Sequence, residues 1–405
     1  MFCMKRVVLR FDMKKKIIFV AQALWLGGIE TALINLLNHL DYDRFEVTCL
    51  ITEDYQAMAG QITEKCRLLV ADRRHTVSFP KPYRHARLAG FLEEPQNASS
   101  LRKLAWRGIR LTCRGPEMRL YAAYIRKQLS GEHFDTCVIY SDRMAEIAVR
   151  AVSADRFLMF YHNADIGKAY HDTYGYRRSE KIIAVSQSQC EKLKQLRPAF
   201  ANKMIAIPNY VDVDSVLRRA QQPVEQPLFP HDGIHLVSCG RLAYQKGFDI
   251  AIEACATIVD SGFENLHWYI LGVGPLKTEL ERLAKEYGVQ EHFHLIGSRN
   301  NPFPYMTEAD LYVQPSRSEG YSLSILEARV LACPTVATYG AAGEQLEDGI
   351  NGTLCELTAD AISEAIMDHL RHPEKSESYR MALSAFSFER VNLDILSKIE
   401  LLLDR

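Results

Sequence analysis

Short runs of Val, Ile, Leu and Phe alternate along the chain with segments whose apolar residues return every third and fourth position. The runs are strand-sized. Lys16–Ala21, Phe45–Thr52, Thr136–Ser141, Phe157–His162, Ile182–Ser186 and Met204–Pro208 form one series. His235–Gly240, His267–Gly272, His292–Gly297, Leu311–Pro315, Thr335–Thr338 and Gly352–Cys355 form a second. Between them the spacing predicts helices, as at Ile29, Leu33, Leu36, Leu37 and Leu40, or at Leu276, Leu280, Leu283 and Tyr287 with Gly288 as the stop. Apolar strands separated by such helices predict parallel sheets of βαβ units. Gln221–Gly233 is rich in Pro and Gln, has no apolar period and reads as a linker. The expected class is therefore α/β: two Rossmann-like doubly wound domains facing a central cleft, with ligands at the strand carboxyl ends.

A chain of 405 residues exceeds what one core holds, which agrees with two domains. We expect residues 1–12 to be a frayed N-terminal extension from an upstream start codon, because no pattern precedes the first strand. Residues 13–215 form the first domain, 216–233 the linker and 234–384 the second domain. Hydrophobic residues at 47% and charged residues at 24% exclude disordered, collagen-like and coiled-coil chains. No apolar run is long enough to span a bilayer, and no secretion leader is evident. Ten cysteines without a C-x-x-C pair predict reduced thiols in a cytoplasmic protein.

Charge divides the chain. Residues 1–210 carry 33 Lys and Arg against 21 Asp and Glu, whereas residues 211–405 carry 16 against 29. The basic excess concentrates in Arg84–Lys127, where ten cations face only Glu93, Glu94 and Glu117. Leu101, Leu104, Trp106, Ile109, Leu111, Leu120 and Tyr124 interleave with them. Nucleic acid, an anionic membrane surface, a phosphorylated acceptor and a plain solvated helix face each fit this stretch.

Three constellations carry chemistry. In Ser238–Asp249, which reads S-C-G-R-L-A-Y-Q-K-G-F-D, Arg241 and Lys246 flank a turn between a strand end and a helix start. A guanidinium, an ammonium and free N–H groups suit a diphosphate, and both cations are expected to face solvent in an empty cleft. Alone, the two are equally readable as surface cations. In Ile270–Leu276, Gly272 and Gly274 allow a tight turn that is either structural or a ligand contact. In Pro315–Ala328, Glu319 lies in a strand-end loop and Glu327 about two turns into the following helix. The N–H groups of Gly320, Tyr321, Ser322 and Leu323 would open that helix as an anion site. Glu327 would accept from ribose hydroxyls, and Glu319 would stand near a sugar. Two solvated glutamates are the alternative.

Glu319 and Glu327, embedded in E-G-Y-S-L-S-I-L-E-A with G-R-L-x-x-x-K-G upstream, resemble the retaining glycosyltransferases of family 4, which have the GT-B fold. Gly27-Gly28-Ile-Glu resembles the family's glycine loop, Ile207-Pro-Asn-Tyr-Val-Asp its interdomain motif, and Glu347-Asp-Gly-Ile-Asn-Gly its E-D-G-x-N-G. Phe386-Ser-Phe-Glu-Arg-Val resembles the start of the last helix, so residues 385–405 would cross back onto the first domain. The resemblance implies that Arg241 and Lys246 neutralise the donor diphosphate and the leaving nucleotide. Glu327 would hold the ribose, the backbone near Arg299 the base, and Glu319 with Gly320–Leu323 the sugar and β-phosphate. His162 would contact the transferred sugar, Gly28 would let backbone approach phosphate or acceptor, and the first domain would be the acceptor side. Tyr210 departs from the family's Gly, and Ala341-Ala-Gly-Glu344 from its Gly-Gly-x-Pro-Glu. Asp41-Tyr-Asp43 and Asp212-Val-Asp214 match a metal-binding D-x-D but lack its strand context.

The implied activity is retaining hexosyl transfer from a nucleotide sugar, UDP-sugar favoured, without metal or cofactor. The implied acceptor is a glycan or lipid-linked glycan in cell-envelope, capsular or exopolysaccharide synthesis. The expected partners are the nucleotide sugar, that acceptor and an anionic membrane surface, without nucleic acid. The expected location is cytoplasmic, peripheral on the inner face of the plasma membrane, with Trp106, Ile109 and Leu111 reaching the headgroups beside Arg102, Lys103, Arg107 and Arg110. A soluble protein or small-molecule acceptor, a sugar-nucleotide epimerase of the same fold, and a non-catalytic two-domain binder are the other readings.

Overall fold

The computed structural model describes residues 14–71, 119–162, 174–223, 229 and 232–405. The expected extension 1–12 and most of the basic stretch, including Arg102, Lys103, Trp106, Arg107, Ile109, Arg110 and Leu111, lie outside the described residues. The described end of that stretch, residues 119–128, is helical. It buries Tyr121, Ala122 and Ile125 in the core and leaves Arg119, Arg126 and Lys127 exposed.

The first sheet comprises β1 (Lys15–Ala21), β2 (Phe45–Ile51), β3 (Arg67–Val70), β4 (His133–Ile139), β5 (Ser153–Tyr161), β6 (Lys181–Ala184) and β7 (Met204–Ala206). Its order is β3-β2-β1-β4-β5-β6-β7, with every pairing parallel. The second comprises β8 (Ile234–Cys239), β9 (Leu266–Leu271), β10 (Phe293–Gly297), β11 (Leu311–Gln314), β12 (Thr335–Thr338) and β13 (Thr353–Cys355). Its order is β10-β9-β8-β11-β12-β13, again parallel throughout. The strands are apolar without alternation because both faces are covered: Ile18 and Val20 of β1 enter one core cluster, Ile17 and Phe19 the other. Only β3 escapes the sequence pattern, being four residues on the sheet edge.

Six helices frame the cleft: α1 (Gly28–His39), α2 (Gln187–Leu196), α3 (Val213–Ala220), α4 (Phe248–Asp260), α5 (Leu323–Val330) and α6 (Phe388–Asp404). The presence of α3 corrects the expected linker 216–233, whose first five residues are helical. Asp212 caps α3 by accepting from Ser215 N at 2.9 Å, and Val213, Val216 and Ala220 pack into the second domain's core. Helix α6 joins the two domains. Phe388 packs in the second, while Ile395, Ile399, Leu402 and Leu403 enter the first domain's core. Arg44 holds its far end through Glu400 at 3.0 Å and Asp404 at 2.8 Å.

In each sheet the first strand lies beside the fourth, so the winding reverses there and a crevice opens at the strand carboxyl ends. Pairing between β8 and β11 covers only Leu236↔Leu311 and Val237↔Tyr312. Beyond it Ser238 Oγ donates to Val313 O at 2.5 Å and accepts from Trp268 Nε1 at 2.9 Å. The strands part where the candidate residues begin.

Candidate functional site

The loops after β8 and β11 are fastened together. Gly247 closes the turn Tyr244–Lys246 at φ 69°, the left-handed region that favours glycine. A Cβ there would lie 1.9 Å from Pro315 O, so close approach of the two loops also demands glycine. Arg317 N donates to Gln245 O at 2.7 Å, and Gln245 Nε2 donates to Ser318 O at 2.7 Å. Arg317 grips Asp249 through two bonds of 2.8 and 2.6 Å and lies 3.8 Å over the Tyr244 ring. Sequence reasoning missed Arg317, since its partners belong to another loop.

This fastening sets Lys246 Nζ 2.7 Å from Glu319 Oε1. The same oxygen accepts from Ser316 Oγ at 2.7 Å, and Ser316 Oγ accepts from Gln314 Nε2 at 2.7 Å. Tyr312 OH donates to Gln314 Oε1, which completes a buried chain of oriented dipoles. The ion pair is only 18% and 12% exposed, so Lys246 does not face solvent as expected. Arg241 does: it is exposed, and its side chain makes no hydrogen bond or ion pair to another described residue. Among the described residues, one cation is paired and one is not.

The start of α5 also differs from expectation. The helix begins at Leu323, so Gly320 and Tyr321 lie in the loop, and Glu327 is the fifth helical residue rather than two turns in. Ser322 N–H is taken by Gln345 Oε1 at 2.8 Å, and Glu319 N–H by Gly340 O at 3.0 Å. Neither N–H is free for an anion. Gly320 stands against the first domain, where an added Cβ would lie 2.7 Å from His162 O.

Burial raises the Glu327 carboxyl to about 7, and the Arg219 guanidinium opposes that rise. Arg219, another residue that sequence reasoning missed, donates to Asn300 O at 2.5 Å and stacks 4.7 Å over Phe303. It thus connects α3 to the loop of Arg299, whose Nε donates to Tyr305 OH at 3.2 Å. His162 follows β5, with its ring 4.8 Å from Tyr140 and 5.9 Å from Phe160. Burial lowers it to about 3, so the ring is neutral near pH 7, and its Nε2 is buried without a hydrogen-bond partner among the described residues.

The remaining candidates separate. A Cβ on Gly272 would lie 1.8 Å from Gly240 O, and one on Gly274 2.3 Å from Leu242 O. Their glycines pack two loops together, which is the structural alternative. Above Gly28 a Cβ would meet nothing within 4 Å among the described residues. Both D-x-D pairs make local turns and caps: Asp41 Oδ1 accepts from Asp43 N at 2.9 Å, and Asp212 caps α3. A cavity of about 580 Å³ opens between Asn209, Tyr321, Arg329 and Asn392, and neither Lys246 nor Glu319 lines it.

Residues 221–382 match the family described as glycosyl transferases group 1. The second domain is a group 1 glycosyl transferase domain. All four of Arg241, Lys246, Glu319 and Glu327 fall within it. An uncharacterized glycosyltransferase of Methanocaldococcus jannaschii is 27% identical over 41% of this chain and 41% of its own length. A Campylobacter jejuni N-acetylgalactosaminyltransferase acting on a diphospho-undecaprenol-linked sugar is 28% identical over 45% of this chain. The chain spans 48% of that relative, about half the curated length. Among solved structures, Anabaena HepE in complex with UDP and glucose covers 95% of this chain and 99% of its own, with TM-score 0.67 and 18% identity. The lipopolysaccharide glycosyltransferase WaaG covers 95% and 99%, with TM-score 0.61 and 16% identity. The fold around the group 1 domain is GT-B.

Proposed function

We propose that the chain is a retaining, metal-independent glycosyltransferase of family 4 that moves a hexose from a UDP-sugar to an envelope glycan or its lipid-linked precursor. The observation that carries this reading is the Lys246–Glu319 pair at the β8/β11 crevice, with exposed Arg241 in the same loop as Lys246. Arg241 and Lys246 bind the diphosphate and stabilise its departure, the electrostatic contribution that needs no acid or metal. Glu319 Oε1 is committed to Lys246 and Ser316, which leaves Oε2 for a hydroxyl of the sugar. His162 Nε2, neutral and unpartnered, donates to or accepts from the same sugar across the cleft. Glu327 takes the ribose hydroxyls when ionised, and the backbone near Arg299 takes the base.

The bond from the sugar's anomeric carbon to the diphosphate breaks, and the acceptor oxygen bonds to that carbon on the same face. The acceptor's proton leaves with the departing phosphate oxygen, so no protein nucleophile enters. UDP is supported by the HepE complex and a lipid-linked acceptor by the Campylobacter relative. GDP is the competing base, since a Mycobacterium tuberculosis relative is named as GDP-mannose-dependent. The basic first half supports docking of that domain on an anionic membrane surface.

The test is nucleoside diphosphate release from a panel of UDP-, GDP- and ADP-sugars in the presence of a chelator. Release from UDP-hexoses is expected. Strict dependence on divalent ions, or no turnover with any donor, overturns the proposal.

A further inference from the structure

Glu344 belongs to the second domain, yet both of its carboxylate oxygens accept from the first. Oε2 takes Gln187 N–H at 2.8 Å, and Oε1 takes Ser188 N–H. These are the first two amides of α2, and Ser186 Oγ takes the next, Gln189 N–H, at 3.2 Å. Amides at a helix start have no partner within the helix and sit at its positive end, so a carboxylate is the group they favour. Here that carboxylate comes from the opposite side of the cleft.

The neighbouring residue holds the donor loop. Gln345 Oε1 accepts from Ser322 N at 2.8 Å, and its Nε2 donates to Ser322 O at 2.7 Å. Glu319 N is tied to Gly340 O of the same segment at 3.0 Å. At the loop's tip Gly320 lies so near His162 O that any side chain would push the domains apart. One dipeptide therefore grips the donor loop with Gln345 and the first domain with Glu344.

We propose that Glu344 is the closure latch of the cleft, a positioning residue that makes ordering of the donor loop and docking of α2 a single equilibrium. The inference rests on the donor-site reading above. A ligand that orders residues 319–323 favours the closed state, and by reciprocity the latch strengthens binding of that ligand. Glu344 touches neither diphosphate nor sugar in this scheme; it acts through Ser322 and α2.

Two unrelated substitutions act on the same contact, one removing both of its bonds and the other only the bond from Gln187. Glu344→Ala deletes an exposed side chain. Gln187→Pro removes the N–H that Glu344 Oε2 accepts, together with the side-chain bond from Gln187 to Glu191, at the first helical position, where proline is tolerated. Ser186, at φ −148° and ψ 158°, already has the extended backbone that a residue before proline needs. With UDP as the probe in calorimetry, each variant is expected to bind roughly three- to tenfold more weakly, the factor a helix-capping carboxylate carries. The double variant should be no weaker than Glu344→Ala alone, and Glu344→Asp should recover part of the loss. Amide exchange at Ser188, whose N–H has its partner in Glu344, should quicken in Glu344→Ala. Unchanged UDP affinity in both variants, or effects that multiply in the double variant, overturns the latch. Should the unmodified chain bind no UDP, the donor reading falls instead, and unchanged exchange at Ser188 in Glu344→Ala then overturns the latch by itself.

Discussion

Glu327→Gln should stabilise the empty protein at neutral and alkaline pH while weakening its ligand. Folding raises the Glu327 carboxyl from 4.5 to about 7, chiefly by burial. Between those values the folded chain holds a proton that the unfolded chain releases. The stabilisation is therefore fully present below pH about 4.5 and is lost as pH rises through about 7. At about 1.4 kcal/mol per pH unit, a shift of this size reaches about 3 kcal/mol, and the partial opening of the side chain to the cleft reduces it to about 2–3. Glutamine keeps the shape and carries no charge. The two proteins should match near pH 4 and differ by about 2–3 kcal/mol near pH 8, with glutamine the more stable. Urea unfolding followed by fluorescence suits the measurement, since Trp268 is fully buried in the second domain's core and reports its loss. UDP affinity should move oppositely, the unmodified protein gaining over the variant as pH rises through 7. Stability curves that stay parallel within about 0.5 kcal/mol across this range would refute the buried-carboxylate argument.

Arg241→Ala and Lys246→Ala should each cost about 2–4 kcal/mol of transition-state stabilisation, read as kcat/KM for donor turnover. They should part in stability: exposed Arg241 leaves the urea midpoint unchanged, whereas losing Lys246 strands Glu319 beside Ser316 and costs about 1–2 kcal/mol. Near-normal turnover in both variants would remove the diphosphate assignment. Co-sedimentation with vesicles should rise with anionic lipid and fall with salt, because the first half of the chain is strongly basic. Binding that ignores both variables, or that survives neutralising Arg102, Lys103, Arg107 and Arg110, would refute membrane docking.

What was legible in the sequence follows how local each determinant is. The twelve anticipated strands stand out because burial on both faces forces unbroken apolar runs, as in Ile17–Ala21. At the sheet edge that force weakens, and Arg67-Leu-Leu-Val carries no such signal. Helix α3 was hidden for another reason. Its apolar residues, Val213, Val216, Leu217 and Ala220, span only two turns, and the Pro- and Gln-rich segment directly after it masks the period, although Asp212 was a readable cap.

The site divides along the same line. That Arg241, Lys246 and Glu319 lie in the loops after two strands was readable, because the apolar runs that end before them are. Pairing was not readable. Lys246 and Glu319 are 73 residues apart, and their 2.7 Å contact depends on how two loops dock. That docking is decided by Gly247, whose positive φ a sequence suggests but whose neighbour, Pro315 O, it does not. Arg219, Arg317 and Glu344 share the difficulty, for each acts on a loop or a domain remote in the chain. Motifs therefore report which groups a crevice contains. How those groups pair follows from the contacts between loops, which among the described residues bind Lys246 to Glu319 and leave Arg241 exposed.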